Sequence, residues 1–518
     1  LTSEEPPIVA RTRKTRKFLV FLREHRHELL EADLQPILAP SYSPEPGGQE
    51  PVDAGLLALA TLLQAYCPVS DRDAVELTVM DQRWQRVRDG LGAEHPPCSQ
   101  GPLCHCRRRL LAHHLDKTRR DRTVALAEKT GGFGARQLRA VLDSPLFGAG
   151  RVEDTLNLLG HALRKAVGLA AQALGTAAAA VVTAAGLTLG GYRRLTAALE
   201  RDGGASSARA LGLVLEEGAR WQHWLAQQHT LAVQQPPLKE VMETITPLRT
   251  QDTEPEPEGA PGGRRITQPV TPDRRISIEE RARRHGRPSS AKTFQSFQEH
   301  CAGELDRTVI REVVVRPANA PEPAAVERLA PTLEQAPGLL QLDIDWGSLA
   351  SPRLAPWAEQ GVYRIARPWP QGGPLCTKPE FTLDFAGLPV PWPGGQTVPM
   401  IRGKVAQFPA AACDACALRA QCTTATCGHG RNLSIRADDL LQQTLRAKMQ
   451  PQRGRAALRK RTAVEHTMAQ QLAHQGRRAR YQGKAGAKTS VMAGVMQRSA
   501  TSRSQPIMMR SIDVSPKA

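Results

Sequence analysis

Hydrophobic and polar positions change their period several times along the chain. Leu138, Ala140 and Leu142 alternate with Arg139, Val141 and Asp143, the two-residue period of a short strand, and Ser144-Pro145 is expected to end it. Asp143 then stands at a strand's C-terminal end, and a strand-end Asp in a turn is its ordinary structural reading. Asp154 or Thr155 can cap a helix that starts near Leu156, while Gly148 and Gly150 free the loop between. The stretch 156–241 reads as helices broken at Gly190-Gly191 and Gly203-Gly204, with Trp221, Trp224 and Leu225 marking an apolar side. Strand character returns over the β-branched 309–315, which Pro317 stops. A helix follows over 322–335, and then a strand over 339–345. On that strand Leu340, Leu342 and Ile344 face one side while Gln341, Asp343 and Asp345 face the other. The alternation is α/β.

Before residue 135 the pattern is helical. The segment 53–66 is strongly apolar. Ser70 can cap a helix from Asp71, with Asp73 reaching back as in a capping box, and Trp84 and Val87 continue its apolar side. A third helix from Ser99 carries Arg107, Arg108 and Arg109. This order suits helix-turn-helix DNA binding and equally suits three helices that simply pack together. The segment 250–275, with PEPEGAPGG at its centre, has linker composition. The stretch 453–481 carries one acid, Glu465, among eight Lys or Arg, and the ordinary role of that acid is a salt bridge to Arg461 four residues earlier.

Composition narrows the partners. The 518 residues hold 69 Lys or Arg against 51 acids, a net charge of +18, with a pI near 9.8. Such a balance favours a polyanion, nucleic acid first. Ten cysteines are too sparse for a disulfide scaffold and fit a reducing cytoplasm. Cys413, Cys416, Cys422 and Cys427 form C-x2-C-x5-C-x4-C, which can build a structural zinc site or be free thiols near one another. The region 166–190 is weakly apolar, mostly Ala and Gly, and reads as buried helix, so no membrane partner is expected.

The segment DSPLFGAGRVEDTLNLLGHALRK resembles the first catalytic block of DDE-type transposases from bacterial insertion sequences, in the branch with a Cys-rich segment between the second Asp and the Glu. The likeness continues through SAKTF, REVVVRPAN, QLDIDWGSLASPR, CDACALRAQC and RKRTAVEHTMAQQLAHQGRRARY, from about residue 52 to 481. The resemblance implies an α/β, RNase H-like catalytic core with a helical N-terminal domain, a helical insertion after the first strand and a Cys-rich insertion. The implied divisions begin with a DNA-binding helical domain over 1–135, the first core strand over 136–149, a helical insertion over 150–249 and a flexible linker over 250–275. The core continues over 276–370, the Cys-rich insertion spans 371–432, the catalytic helix with its basic segment spans 433–483, and a disordered tail spans 484–518.

The same resemblance implies that Asp143, Asp345 and Glu465 are the catalytic acids and hold Mg²⁺ or Mn²⁺. Ser351-Pro352 sets the register onto Asp345 rather than Asp343, and Ser348 departs from the aromatic usual three residues after that aspartate. Arg461, Arg477, Arg478 and Arg480 would line the path of the DNA backbone, and Arg107 to Arg109 would contact it from the N-terminal domain. The partner would be double-stranded DNA, the element's terminal repeats and its target, met by a homodimer or higher assembly. Crowded carboxylates need a cation, and two Mg²⁺ ions suit phosphodiester cleavage followed by strand transfer. The resemblance stops at Gly483. Residues 488–502, read in another frame, can give KNQCDGRRHAAVSNL, similar to the family's ending. A frameshift near Lys484 would leave a decayed relative that binds DNA without catalysis, and a metal-dependent nuclease shares the same acids.

Overall fold

The computed structural model describes residues 17–30, 34–41, 51–113, 138–188, 204–228, 236–255, 264–267, 273–289, 292–305, 310–335, 338–369, 397–399 and 403–481, with a few short pieces between them. The tail 484–518 and the basic stretch 11–16 lie outside the described residues, as do Gly190, Gly191 and Gly203.

The N-terminal helices are α1 Lys17–Leu29, α2 Leu34–Leu38, α3 Ala54–Tyr66, α4 Asp71–Met80, α5 Gln82–Arg88 and α6 Gln100–Ala112. Helix α3 is apolar on nearly every side and therefore lies inside the bundle, where Leu57, Leu62 and Leu63 share a core with Phe18, Leu22, Trp84 and Leu103. Asp53 caps it through the Leu56 N–H at 2.7 Å. Ser70 and Asp73 cap α4 reciprocally, as their spacing predicts.

The next strand, β1 Leu138–Leu146, is followed by helices α7 Thr155–Leu174, α8 Ala178–Ala184, α9 Gly204–Gln227 and α10 Pro236–Thr250, which bury Leu159, Val214, Trp221 and Ile245 in a core of their own. Asp154 caps α7 through the Asn157 N–H. Gly175, in the left-handed region at φ 63°, ends it, a break not read from the sequence. The region read as weakly apolar helix packs here, with Ala166, Val167, Ala170 and Ala171 buried. No single helix among the described residues is long and apolar enough to cross a membrane. The expected linker is ordered at both ends: β2 Thr253–Pro255 pairs with β3 Arg264–Ile266, and Arg274 pairs with the buried Asp252.

The main sheet is completed by β4 Arg284–Ser289, β5 Lys292–Glu304, β6 Ile310–Pro317, β7 Gln341–Ile344 and β8 Tyr363–Ile365, with α11 Pro323–Leu333 between β6 and β7 and α12 Leu354–Glu359 between β7 and β8. Its path is β4-β5-β1-β7-β8, and β6 also pairs with β5. Strands β6, β5 and β1 are successively antiparallel, whereas β1, β7 and β8 are parallel. β1 runs through Pro145 to Leu146, past the expected stop. β7 accompanies it only as far as Val141, so the proline lies where the strand's other edge has no sheet partner and its missing N–H costs no ladder bond.

Beyond the sheet, β9 Pro389–Pro391 pairs with β10 Thr397–Pro399. β11 Val405–Gln407 and β12 Asn432–Ser434 flank α13 Ala410–Asp414 and α14 Arg419–Cys422, and α15 Asp439–Met449 and α16 Gln452–Gln475 follow. One face of the sheet carries Val141, Ala302, Leu342 and Ile344 against Val326, Leu329 and Leu333 of α11. The other carries Ala140, Leu142, Phe297 and Val313 with Met468 of α16. A buried Glu304 carboxylate accepts from both Arg139, at 2.9 Å, and Arg311, joining β1, β5 and β6 at the end remote from Asp143.

His161 of α7 sits between Glu153 at 2.9 Å and Glu279 at 3.2 Å. Its hydrogen bonds to those carboxylates, Glu153 first, raise its pKa from the usual 6.5 to about 9. A histidine raised on folding contributes stability that is full below its unfolded pKa and is lost as pH rises through the folded one. Urea denaturation between pH 6.5 and 9.5 should therefore show a loss of about 2 kcal/mol from this group, a component that His161→Asn should lack.

Candidate active site

β1 and β7 are parallel neighbours, so their C-terminal ends emerge side by side. Asp143 belongs to β1, with His300 of β5 as its cross-strand partner, and Gln298 Nε2 donates to its Oδ2 at 2.6 Å. Asp345 follows β7 and opens the tight turn Trp346–Ala350. The two carboxyls are in hydrogen-bond contact. Glu465 comes from the middle of α16, which lies against β1 through Met468. A cleft of about 550 Å³ is lined by Asp143, Asp345, Arg461, Glu465, Met468 and Arg477. Residues 202 and 120 positions apart in the chain, 345 − 143 and 465 − 345, thus share one concavity.

Arg461 stands in the middle of these acids rather than along an outer groove. Its side chain is 6% exposed, and it pairs with Asp345 at 2.5 Å, Glu465 at 3.1 Å and Asp343 at 3.3 Å while donating to the Ile344 carbonyl at 3.0 Å. The Arg461 guanidinium, expected along the DNA path, is buried here and engaged by carboxylates. Burial works against its charge, but Asp345 and Asp343 more than offset that and hold its pKa above the ordinary value. Asp343, fully buried, is pushed up to about 7 by burial, with Arg461 pulling the other way. Burial also raises Asp345; Arg461 opposes the rise and Asp143 adds to it. The Arg461–Glu465 bridge that spacing suggests is present, as one arm of this network. Among the described residues no three His, Cys, Asp or Glu side chains are arranged to hold a metal ion as they stand.

Three further groups that pattern did not single out surround Asp143. They are Gln298, the buried His300, whose pKa burial lowers to about 4, and Glu322, whose pKa burial and then Asp143 and Asp345 raise to about 7. Alternation within β5 would have placed Gln298 and His300 on one face, but nothing local to Glu322 distinguishes it from any helix-start acid.

The other basic residues divide. Arg107 is buried, pairs with Asp71, donates to Gln64 Oε1 at 3.3 Å and lies 4.6 Å over the Tyr481 ring. It is thus enclosed among side chains of the helical domain and Tyr481. Arg108 is exposed and Arg109 half-buried. Arg477 is exposed at the rim of the cleft, and its carbonyl accepts from the Phe147 N–H at 2.8 Å. Arg478 is exposed and donates to the Gly148 carbonyl at 3.2 Å, while Arg480 donates to the carbonyls of Gln64 and Val69 at 3.3 Å. The segment after α16 therefore runs along the end of β1 and reaches the N-terminal helices.

Three of the four cysteines of the spacing, Cys413, Cys416 and Cys422, share one small core with Cys376, and Cys427 lies outside it. Cys413 and Cys422 are buried, Cys416 is half-buried and Cys427 is exposed. Cys422 is hydrogen-bonded to Cys376, far upstream, and burial pushes its thiol up. The N–H groups of Leu418 and Arg431 donate to the sulfurs of Cys416 and Cys413, each at 3.3 Å.

Residues 400–496 match the family described as Transposase DDE domain. The matched stretch contains Arg461 and Glu465 but neither Asp143 nor Asp345, and it runs past Gly483, where the resemblance was expected to stop. No curated protein and no solved structure matches the chain.

Replacing Arg461 with Met should leave Asp343 buried without its cation and cost about 3 kcal/mol at pH 8. At pH 5.5 the cost should shrink, because Asp343 takes up a proton below about 7, and Asp343→Asn in the same chain should recover part of it. Urea unfolding at the two pH values checks this, and equal losses at both would contradict it.

Proposed function

We propose that the chain is a DDE-type transposase of an insertion sequence, acting on double-stranded DNA in the cytoplasm as a dimer or higher assembly. Its reaction would be phosphodiester cleavage at the element's ends followed by strand transfer to target DNA. The observation that carries this reading is the single cleft lined by Asp143, Asp345 and Glu465 from three separate elements. The family match over residues 400–496 supports the same class. The strand order β6-β5-β1-β7-β8, antiparallel on one side of β1 and parallel on the other, supports an RNase H-like core.

The donor set suits a hard divalent cation. Asp143 and Asp345 touch, and Asp345 is held above the usual carboxylate range by burial and by that neighbour, the strain that magnesium or manganese relieves. Asp143, Asp345 and Glu465 would hold it. The cation would supply charge neutralisation and an activated oxygen nucleophile for phosphodiester cleavage.

The chain's own residues do the rest. Arg477, exposed at the rim, binds the DNA backbone beside the acids, and Arg478 extends that contact. Arg108 and Arg109 offer charge to DNA from α6. Gln298 fixes the Asp143 carboxylate by its amide N–H, and Arg461 neutralises Asp343, so the second strand's end stays folded beside the reacting groups.

A second reading, DNA binding without catalysis, is favoured by the one observation that Arg461 already bridges Asp345 and Glu465. The two separate in an assay on DNA carrying the element's ends. Mg²⁺-dependent cleavage should fall by about 10²–10³-fold in Asp143→Ala while gel-shift affinity stays unchanged. Binding without cleavage in the unaltered chain would favour the second reading. Cleavage that persists in Asp143→Ala would falsify the assignment.

A further inference from the structure

Glu322 lies between β6 and α11, at a helix start where an acid is normally explained as a cap. That explanation fails here, since its side chain makes no capping hydrogen bond and the first helical position is Pro323. The carboxylate turns instead toward the acids of the cleft.

The topology delivers it there. β6 runs parallel to β1 through their shared antiparallel neighbour, and Phe297 of β5 is paired with both Leu146 and Pro317, so the ends of β1 and β6 lie at one level. A turn closed by the Ala320 N–H to the Pro317 carbonyl at 3.0 Å then places Glu322 at the edge where Asp143 and Asp345 emerge. Gln298 donates to Glu322 as it does to Asp143, so one amide spans both carboxylates, and the charges of Asp143 and Asp345 both act on Glu322. The backbone after Asp345 is shaped to receive it. A Cβ on Gly347 would collide with the Glu322 carboxylate, so this close approach exists only because residue 347 is glycine.

A second observation points to a ligand at the same place. His300 is 1% exposed, is the cross-strand partner of Asp143 and so shares its face of the sheet, and feels the charge of Asp345, yet its Nε2 has no hydrogen-bond partner. A buried polar atom next to Asp143, within reach of the charges of Arg316 and Asp345 and without a partner, marks a position that a polar group should fill. Arg461 does not fill it. Its ion pairs are with Asp343, Asp345 and Glu465, from the α16 side of the sheet, whereas Asp143, two residues from Val141, belongs to the α11 face.

We propose that Glu322 is a fourth carboxylate of the active site, binding on the α11 side the divalent cation that Asp143 and Asp345 hold. This rests on the transposase reading for the presence of the cation, and adds a residue outside the three acids implied by the resemblance.

Calorimetric titration of Mn²⁺ into the full chain without DNA tests the assignment independently of activity. The unaltered chain should bind Mn²⁺. Glu322→Gln, which keeps the shape, should weaken that binding about tenfold or more. Gly347→Ala should weaken it as well, because the new methyl displaces the Glu322 side chain although no carboxylate is removed from the sequence. Circular dichroism melts of both variants should match the unaltered chain. Mn²⁺ affinity unchanged in Glu322→Gln and Gly347→Ala, with loss in Asp143→Ala, would overturn the role of Glu322 and leave the transposase reading intact. No Mn²⁺ uptake by the unaltered chain would overturn both.

Discussion

Five carboxylates converge on one end of the sheet, and their mutual repulsion is the constraint that organises the rest. Asp343 and Asp345 come with β7, Asp143 with β1, Glu322 with the start of α11 and Glu465 with α16. Burying an unpaired carboxylate costs several kcal/mol, roughly. The fold answers with a single inward guanidinium, Arg461, which meets three of the five. The same side chain also donates to the Ile344 carbonyl, so the docking of α16 on the sheet and the neutralisation of the acids are one contact. Protons do part of the remaining work, since Asp343 and Glu322 are pushed to about 7. On the transposase reading, a divalent cation binding there would compete with Arg461 for Asp345 and Glu465.

What could be read in the sequence was local. The caps at Ser70 and Asp154 depend on residues three apart, and both formed as their spacing indicates. The strand ends at Asp143 and Asp345 followed from alternation and from the turn residues behind them. Gly148 and Gly150 were legible as loop glycines, but the reason they must be small was not: Glu280, more than a hundred residues later, packs within 3 Å of where their Cβ atoms would be. Less legible were residues whose surroundings are set by a distant partner. Arg107 looks like a surface cation until Asp71 and Tyr481 close over it, and Arg461 looks like one until the β7 acids do. Cys427 completes a spacing but not a cluster, while Cys376 reaches Cys422 through a backbone hydrogen bond to Gln421 that no spacing rule predicts.

The segment after α16 joins the two halves of the account. Phe147, just past β1, exchanges backbone hydrogen bonds with Arg477 and Ala479, and a few residues on Arg480 and Tyr481 bond to Gln64 of α3. The helical domain proposed to meet DNA and the strand that carries Asp143 are therefore tied to the same short run of chain.

On the transposase reading the crowded acids form a cation site which Arg461 counterbalances. Its most direct test is a crystal structure of the chain grown with Mn²⁺ and measured for anomalous scattering. An anomalous peak is expected between Asp143 and Asp345, with the Arg461 guanidinium withdrawn from Asp345. No peak there, with Arg461 still bridging Asp345 and Glu465, would contradict it.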